Sequence, residues 1–123
     1  MPLSNSQRPL YELKAGLFKG LAHPIRIHIL ELLCDDREHT VADIQQHTGL
    51  EASHLSQHLA VLRRHGVVVS DRRGSHVHYR IASDEVIALL GSARRFLIDV
   101  LHAHGAQLSE IAELPSLPGR AGR

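Results

Sequence analysis

Tryptophan is absent, and two phenylalanines and two tyrosines supply every phenyl ring in 123 residues. A core must therefore be assembled from Leu, Ile, Val and Ala, which bury less surface apiece than an aromatic ring does. A domain with so small a core often gains stability by joining a second copy of itself. The single cysteine, Cys34, excludes an intramolecular disulfide and fits a reducing compartment. Soft-metal and disulfide chemistry both need partners, so Cys34 is read as a core residue closing an apolar helix. No charged leader followed by an apolar run opens the chain, and no stretch approaches the ~20 apolar residues of a membrane span. A cytoplasmic protein with no membrane partner is expected.

Strong charge of one sign is also missing, since the formal net charge is +1. Its distribution is uneven: residues 51–80 hold five arginines against two acids, a local +3, and the rest of the chain carries −2. What the chain has in abundance is histidine, with 11 residues able to add positive charge below an ordinary pKa of roughly 6.5. The length suits one compact domain. We read it as residues 9–113, between flexible tails at 1–8 and 114–123, the latter being LPSLPGRAGR.

Apolar residues Leu10, Leu13, Leu17, Phe18 and Leu21 recur at helical spacing and predict a first helix. The triplet AHP at 22–24 interrupts it, and Pro24 is suited to open a second helix running to about Cys34, with His23 as a structural cap. DDREH then reads as a polar break. Thr40 is a good N-cap with Asp43 in the first turn, predicting a short helix from Val41 to about His47 that Gly49 stops. The next helix, from Ala52 to about His65, carries Leu55, Leu59 and Leu62 on one face and ends at Gly66. Two helices joined by so short a break have the layout of a helix-turn-helix.

After Gly66 the period changes. VVVSDRR and HVHYRI are rich in β-branched residues, and Val77, Tyr79 and Ile81 alternate with His76, His78 and Arg80, so a hairpin with RGS as its turn and a basic outer face is expected. A last helix is predicted from Asp84 to about Glu113, capped by Ser83 or Asp84. Val86, Leu90, Ala93, Leu97, Val100 and His104 form a heptad-like seam along it, widened by Leu89, Phe96 and Leu101. So apolar a helix is expected to make a dimer interface with the first helix, through Leu13, Leu17, Val86, Leu90, Ala93, Leu97, Val100, Leu101 and His104.

A helix pair followed directly by a basic hairpin is a winged helix. The stretches LAHPIRIHILELL (21–33), VADIQQHTGL (41–50), SHLSQHLAVLRRHGVV (53–68) and DRRGSHVHYRI (71–81) together resemble the ArsR/SmtB family of dimeric bacterial transcription repressors. That resemblance implies a mainly α fold of five helices with a two-stranded wing and a DNA-binding core at 41–82. It also implies a homodimer, promoter DNA as partner, an inverted-repeat operator, an effector of unspecified chemistry, and no enzymatic activity. The helix-turn-helix places Ser53, His54, Ser56, Gln57 and His58 at the end that meets a major groove, where Gln can bond adenine bidentately. Arg63, Arg64, Arg72, Arg73, Ser75, His76 and His78 are placed for phosphates or the minor groove.

His54 and His58 also have the spacing of two zinc ligands on a helix. The metalloprotease form needs Glu after the first His, where Leu55 stands, and no third ligand is close in sequence. The pair is therefore read as facing DNA. Relatives that sense metal through cysteines carry them where this chain has Thr40 and Ala42. Those that bind zinc between their last helices use positions that correspond to Ser83, Glu85, Phe96 and Asp99, and Phe96 cannot coordinate. No metal or other cofactor is expected. Two alternatives stand beside this reading: a metal-responsive repressor using a non-standard site drawn from Asp99, His102 and His104, and a winged-helix protein-interaction module without DNA binding.

Overall fold

Two prolines mark where the first two helices begin. In the computed structural model, which describes residues 7–35 and 37–105, Pro9 and Pro24 stand in the first turns of α1 (Arg8–Leu21) and α2 (Pro24–Leu32). Proline fits there because those backbone N–H groups have no intrahelical acceptor. His23 is the N-cap of α2, and its Nδ1 accepts the Ile25 N–H at 3.1 Å. A 3-10 turn, Leu33–Asp35, closes α2.

The segment expected to be a polar break holds a short strand, β1 (His39–Thr40). Two residues are too few to show an alternation, so the pairing comes from tertiary context. His39 is buried beside Asp35, with Nε2 3.0 Å from both carboxylate oxygens. Burial pushes the Asp35 pKa up, but hydrogen bonds from His39 and Arg37 outweigh it and hold the carboxyl below its ordinary value.

Thr40 then starts α3 (Val41–Thr48) through a reciprocal capping box. Its Oγ1 accepts the Asp43 N–H at 3.1 Å, and Asp43 Oδ2 accepts the Thr40 N–H at 3.0 Å. Those bonds hold the Asp43 carboxyl below its ordinary pKa. Gly49, at φ 72°, ends α3 in the left-handed conformation that glycine tolerates best, and α4 (Ala52–Arg64) follows.

Strands β2 (Val68–Arg73) and β3 (His76–Ile81) make an antiparallel hairpin, and β1 adds to β3, giving the order β1-β3-β2. Arg73 pairs with His76, so the connection is Gly74-Ser75 alone and Arg73 belongs to the ladder, not to the turn as expected. Ser83 Oγ accepts the Glu85 N–H at 3.0 Å and caps α5 (Asp84–Ala103). The last helix was expected to reach about Glu113. It ends at Ala103, where Gly105 at φ 68° lies just past the C-cap His104, and the rest of that expected stretch lies outside the described residues. The apolar stripe hid a glycine stop of the kind that closed α3.

The core is aliphatic. Leu55, Leu59 and Leu62 of α4 are sealed against Ile29, Leu30 and Leu33, with Ile44 beneath α3 and Val68 and Ile81 at the foot of the hairpin. Leu90, expected at the dimer seam, is 5% exposed and joins this core, as does Ile87. The first turns of α5 lie on the protomer, so Leu90 has its burial partner in its own chain. An ion pair between Arg94 and Glu31, at 3.1 Å, ties α5 to α2. No helix among the described residues is long and apolar enough to cross a membrane.

Helix α1 meets α4 at Gly20. A Cβ placed there would lie 2.4 Å from His65 Cδ2 and 3.1 Å from its Cβ, so the two helices approach only because position 20 has no side chain. Gly20→Ala is expected to destabilise the protein by about 1–3 kcal/mol in chemical denaturation, since overpacking outweighs the better helix propensity of alanine. Adding His65→Ala should recover most of that loss; equal losses with and without His65 would show that the close approach is not the cause.

Candidate nucleic-acid interface

The sealed leucines of α4 determine what its other side presents. Ser53, Gln57, Ala60 and Arg64 are exposed along one stripe at steps of four, three and four. Ser56, His54 and Arg63 flank it, also exposed. The N-cap residue Glu51 makes no side-chain cap; its carboxylate accepts the Ser53 hydroxyl at 2.7 Å. Ala60 was not singled out from sequence, although the spacing that marks Gln57 also marks it. A methyl group there keeps the centre of the stripe low.

His54 and His58 part company. His54 is exposed, whereas His58 is half-buried against the start of α2, its ring centroid 4.6 Å from that of His23. His58 Nδ1 lies 3.4 Å from the Arg26 guanidinium. Burial, then the positive charges of His23, Arg26 and His54, push the His58 pKa below its ordinary value. Arg26 also donates to the carbonyls of Gly20, at 2.6 Å, and Lys19, at 3.4 Å, closing the end of α1. The expectation that both histidines share an outward face fails for His58 because a residue on the flank of the leucine stripe can turn toward a neighbouring helix. Helical period reports the angle around one axis and not what stands beside it.

The hairpin is less uniformly basic than its sequence reads. Cross-strand partners share a face, so Arg73, His76, Asp71 and His78 lie together, while Arg72 lies on the other face with Val77. Arg73 Nε is 3.0 Å from Asp71 Oδ2, and its Nη2 forms an ion pair with Glu38, ahead of β1. Hydrogen bonds to Arg73 hold the Glu38 carboxyl below its ordinary pKa, and those to Glu38 and Asp71 raise that of Arg73. Glu38 was missed as a site residue because its partner is 35 positions away. On α4, Arg63 reaches Ser70 Oγ at 3.4 Å and braces the helix against the hairpin. Among the described residues, Arg64 and Arg72 are exposed and have no ion-pair partner. Ser75 and His76 are exposed at the tip, and His78 is half-buried.

The residues expected at a dimer interface divide. Leu13, Ala93, Leu97, Leu101 and His104 are exposed; Leu17, Val86 and Val100 are half-buried, with Leu17 and Val86 packed on the core. Leu13 is 73% exposed, Phe18 57%, Phe96 66% and Leu97 55%, with Leu10, Tyr11 and Leu101 also open. All seven belong to α1 or α5. Cys34 is fully buried in the core. Among the described residues, no three histidine, cysteine or carboxylate side chains group in a metal-holding arrangement.

Residues 23–70 match the family model described as the bacterial regulatory protein, arsR family. An HTH-type transcriptional regulator of Mycobacterium tuberculosis, Rv0081, is 48% identical over 104 residues, covering 84% of this chain and 90% of that protein. Its crystal structure is similar with a TM-score of 0.73 at 49% identity, over 80% of this chain and 98% of the other. A homodimeric winged helix-turn-helix DNA-binding domain from Mycobacterium bovis, solved in solution, matches with a TM-score of 0.70 at 28% identity, over 83% and 92% of the two chains. The transcriptional repressor PagR of Bacillus anthracis matches with a TM-score of 0.63 at 30% identity, over 70% and 98%.

Proposed function

Because the chain belongs to the arsR family of bacterial regulatory proteins, we propose that it acts as a homodimeric repressor that reads promoter DNA with α4 and grips the backbone with the hairpin. The observation that carries this reading is the stripe Ser53, Gln57, Ala60 and Arg64: polar ends and a low centre on a helix whose reverse side is sealed in the core. Gln57 is suited to a bidentate bond with adenine, and Ser53 and Ser56 to a base edge or a phosphate. Ala60 can meet a thymine methyl group. Arg64 and Arg72, exposed and without ion-pair partners among the described residues, are the cations most ready for phosphate. Arg73 must first give up Glu38 and Asp71. We leave His58 out of the contact set and assign it to the support of the helix.

The uncovered leucines and phenylalanines of α1 and α5 support a dimer, since large apolar side chains exposed together on two helices mark an interaction surface. Two copies would offer their α4 helices to half-sites about 34 Å apart on one face of a duplex, and the operator would be an inverted repeat. An effector would act by binding two arrangements of that dimer unequally.

The central test is a gel-shift with the DNA upstream of the protein's own gene, repeated as salt rises. A repressor with several phosphate contacts loses affinity steeply, and no shift at low salt would refute DNA binding. Gln57→Ala is expected to weaken operator binding about tenfold and random-sequence binding far less; equal losses on both would contradict base reading. Arg72→Ala should flatten the salt dependence by about one unit, with Arg73→Ala doing less because its charge is already compensated. Leu97→Asp should yield monomers in analytical ultracentrifugation with weak DNA affinity, whereas an intact dimer would displace the interface from α5.

A further inference from the structure

The start of α2, the end of α1 and the middle of α4 meet at three basic side chains, His23, Arg26 and His58. We propose that this cluster positions the DNA-reading helix only while the His58 imidazole is unprotonated, so that operator binding is linked to pH. The inference rests on the DNA-binding reading above.

Each histidine is used as an acceptor through Nδ1. A backbone N–H can only donate, so His23 Nδ1, taking the Ile25 N–H, carries a lone pair and not a proton. A guanidinium likewise only donates, so His58 Nδ1 must accept from Arg26. Protonating His58 at Nδ1 replaces an attraction with a clash of two donors and would cost α4 its tie to Arg26.

Among the described residues, no carboxylate acts on His58 to compensate a new imidazolium. The charged and titratable groups acting on His58 are His23 and Arg26 from α2 and His54 from its own helix, all of one sign. From α1 come the Lys19 and Gly20 carbonyls, already taken up by Arg26, while His65 fills the space over Gly20. A positive charge on His58, 3.4 Å from a guanidinium, would be repelled by it. The direction of the His58 shift agrees: the fold favours the neutral ring, so the contribution is present above the ordinary value of about 6.5 and is lost as pH falls through the depressed folded one. Because Arg26 closes α1, whose apolar face is uncovered, relaxing the cluster also frees α4 to shift relative to that helix.

Exposed His54 and His76 and half-buried His78 belong to the proposed DNA-facing elements, where positive charge would act in the opposite sense by attracting phosphate. The comparison is therefore with the double variant His23→Asn, His58→Asn, in which each amide oxygen can accept near the Nδ1 position and neither side chain titrates. Fluorescence anisotropy with the DNA upstream of the protein's own gene, at constant salt, is measured for both proteins at pH 7.5 and 5.5. The unsubstituted protein should lose affinity relative to the variant over that interval, by at most about tenfold for each pKa unit by which DNA lowers the His58 titration. Parallel profiles would overturn the proposal. If the variant does not fold, the His58 ring is titrated by NMR in the unsubstituted protein with and without DNA. DNA should push that titration lower, and an unchanged midpoint overturns the proposal. Absence of binding at pH 7.5 by the unsubstituted protein would instead overturn the DNA-binding reading beneath it.

Discussion

Three leucines on α4, Leu55, Leu59 and Leu62, are sealed from solvent at steps of four and three, and this burial sets the rotation of the helix about its own axis. Each contributes about 1.5–3 kcal/mol relative to exposure, so turning the helix by even one residue would forfeit more than any surface polar contact supplies. The stripe from Ser53 to Arg64 faces outward as a consequence. Packing, not polar chemistry, thus decides which side chains are available to DNA, and it does so in a core almost without aromatics, where small changes of volume are felt.

Burial fixes rotation, but it leaves the helices free to slide and splay, because aliphatic contacts have little direction. The directional part comes from a few charged or polar side chains placed at joints. Arg26 spans α1, α2 and α4; Arg94 and Glu31 link α5 to α2; His39 and Asp35 hold β1 beside the 3-10 turn; Arg63 braces α4 on β2. Gly20 adds a steric stop, since His65 occupies the space that a side chain would fill. Each joint uses a residue whose sequence neighbours give no hint of its partner.

That difference explains what could be read from the chain alone. Thr40 with Asp43, Gly49, Pro24, His23 and Ser83 act within a few residues of themselves, and their local chemistry identified the starts and stops of the helices. The winged helix-turn-helix itself was legible through the pattern of those signals and the change of period after Gly66. The two-residue β1, the inward turn of His58, the tether from Glu38 to Arg73 and the burial of Leu90 were not, because each depends on a partner far along the chain. Arg72 and Arg73 read as one basic pair, yet a strand sends adjacent residues to opposite faces. Gly105 was legible in principle; a heptad stripe drew attention past it.

The uncovered apolar surface belongs to α1 and α5, whereas the readable polar surface belongs to α4 and the hairpin. In the proposed dimer a signal would have no effect unless α4 moved with it, so these two surfaces would have to be mechanically joined. The joints provide that connection by two routes. Through Gly20 against His65 and Arg26 beside His58, α1 bears directly on α4; through Glu31, α5 bears on α2, whose leucines pack under α4. The Arg26 and Glu31 contacts both belong to α2, which has none of the large exposed apolar side chains, whereas Gly20 meets His65 without it. In the proposed dimer, those contacts would make α2 the element that converts a change in geometry into a change in the spacing of the two α4 helices.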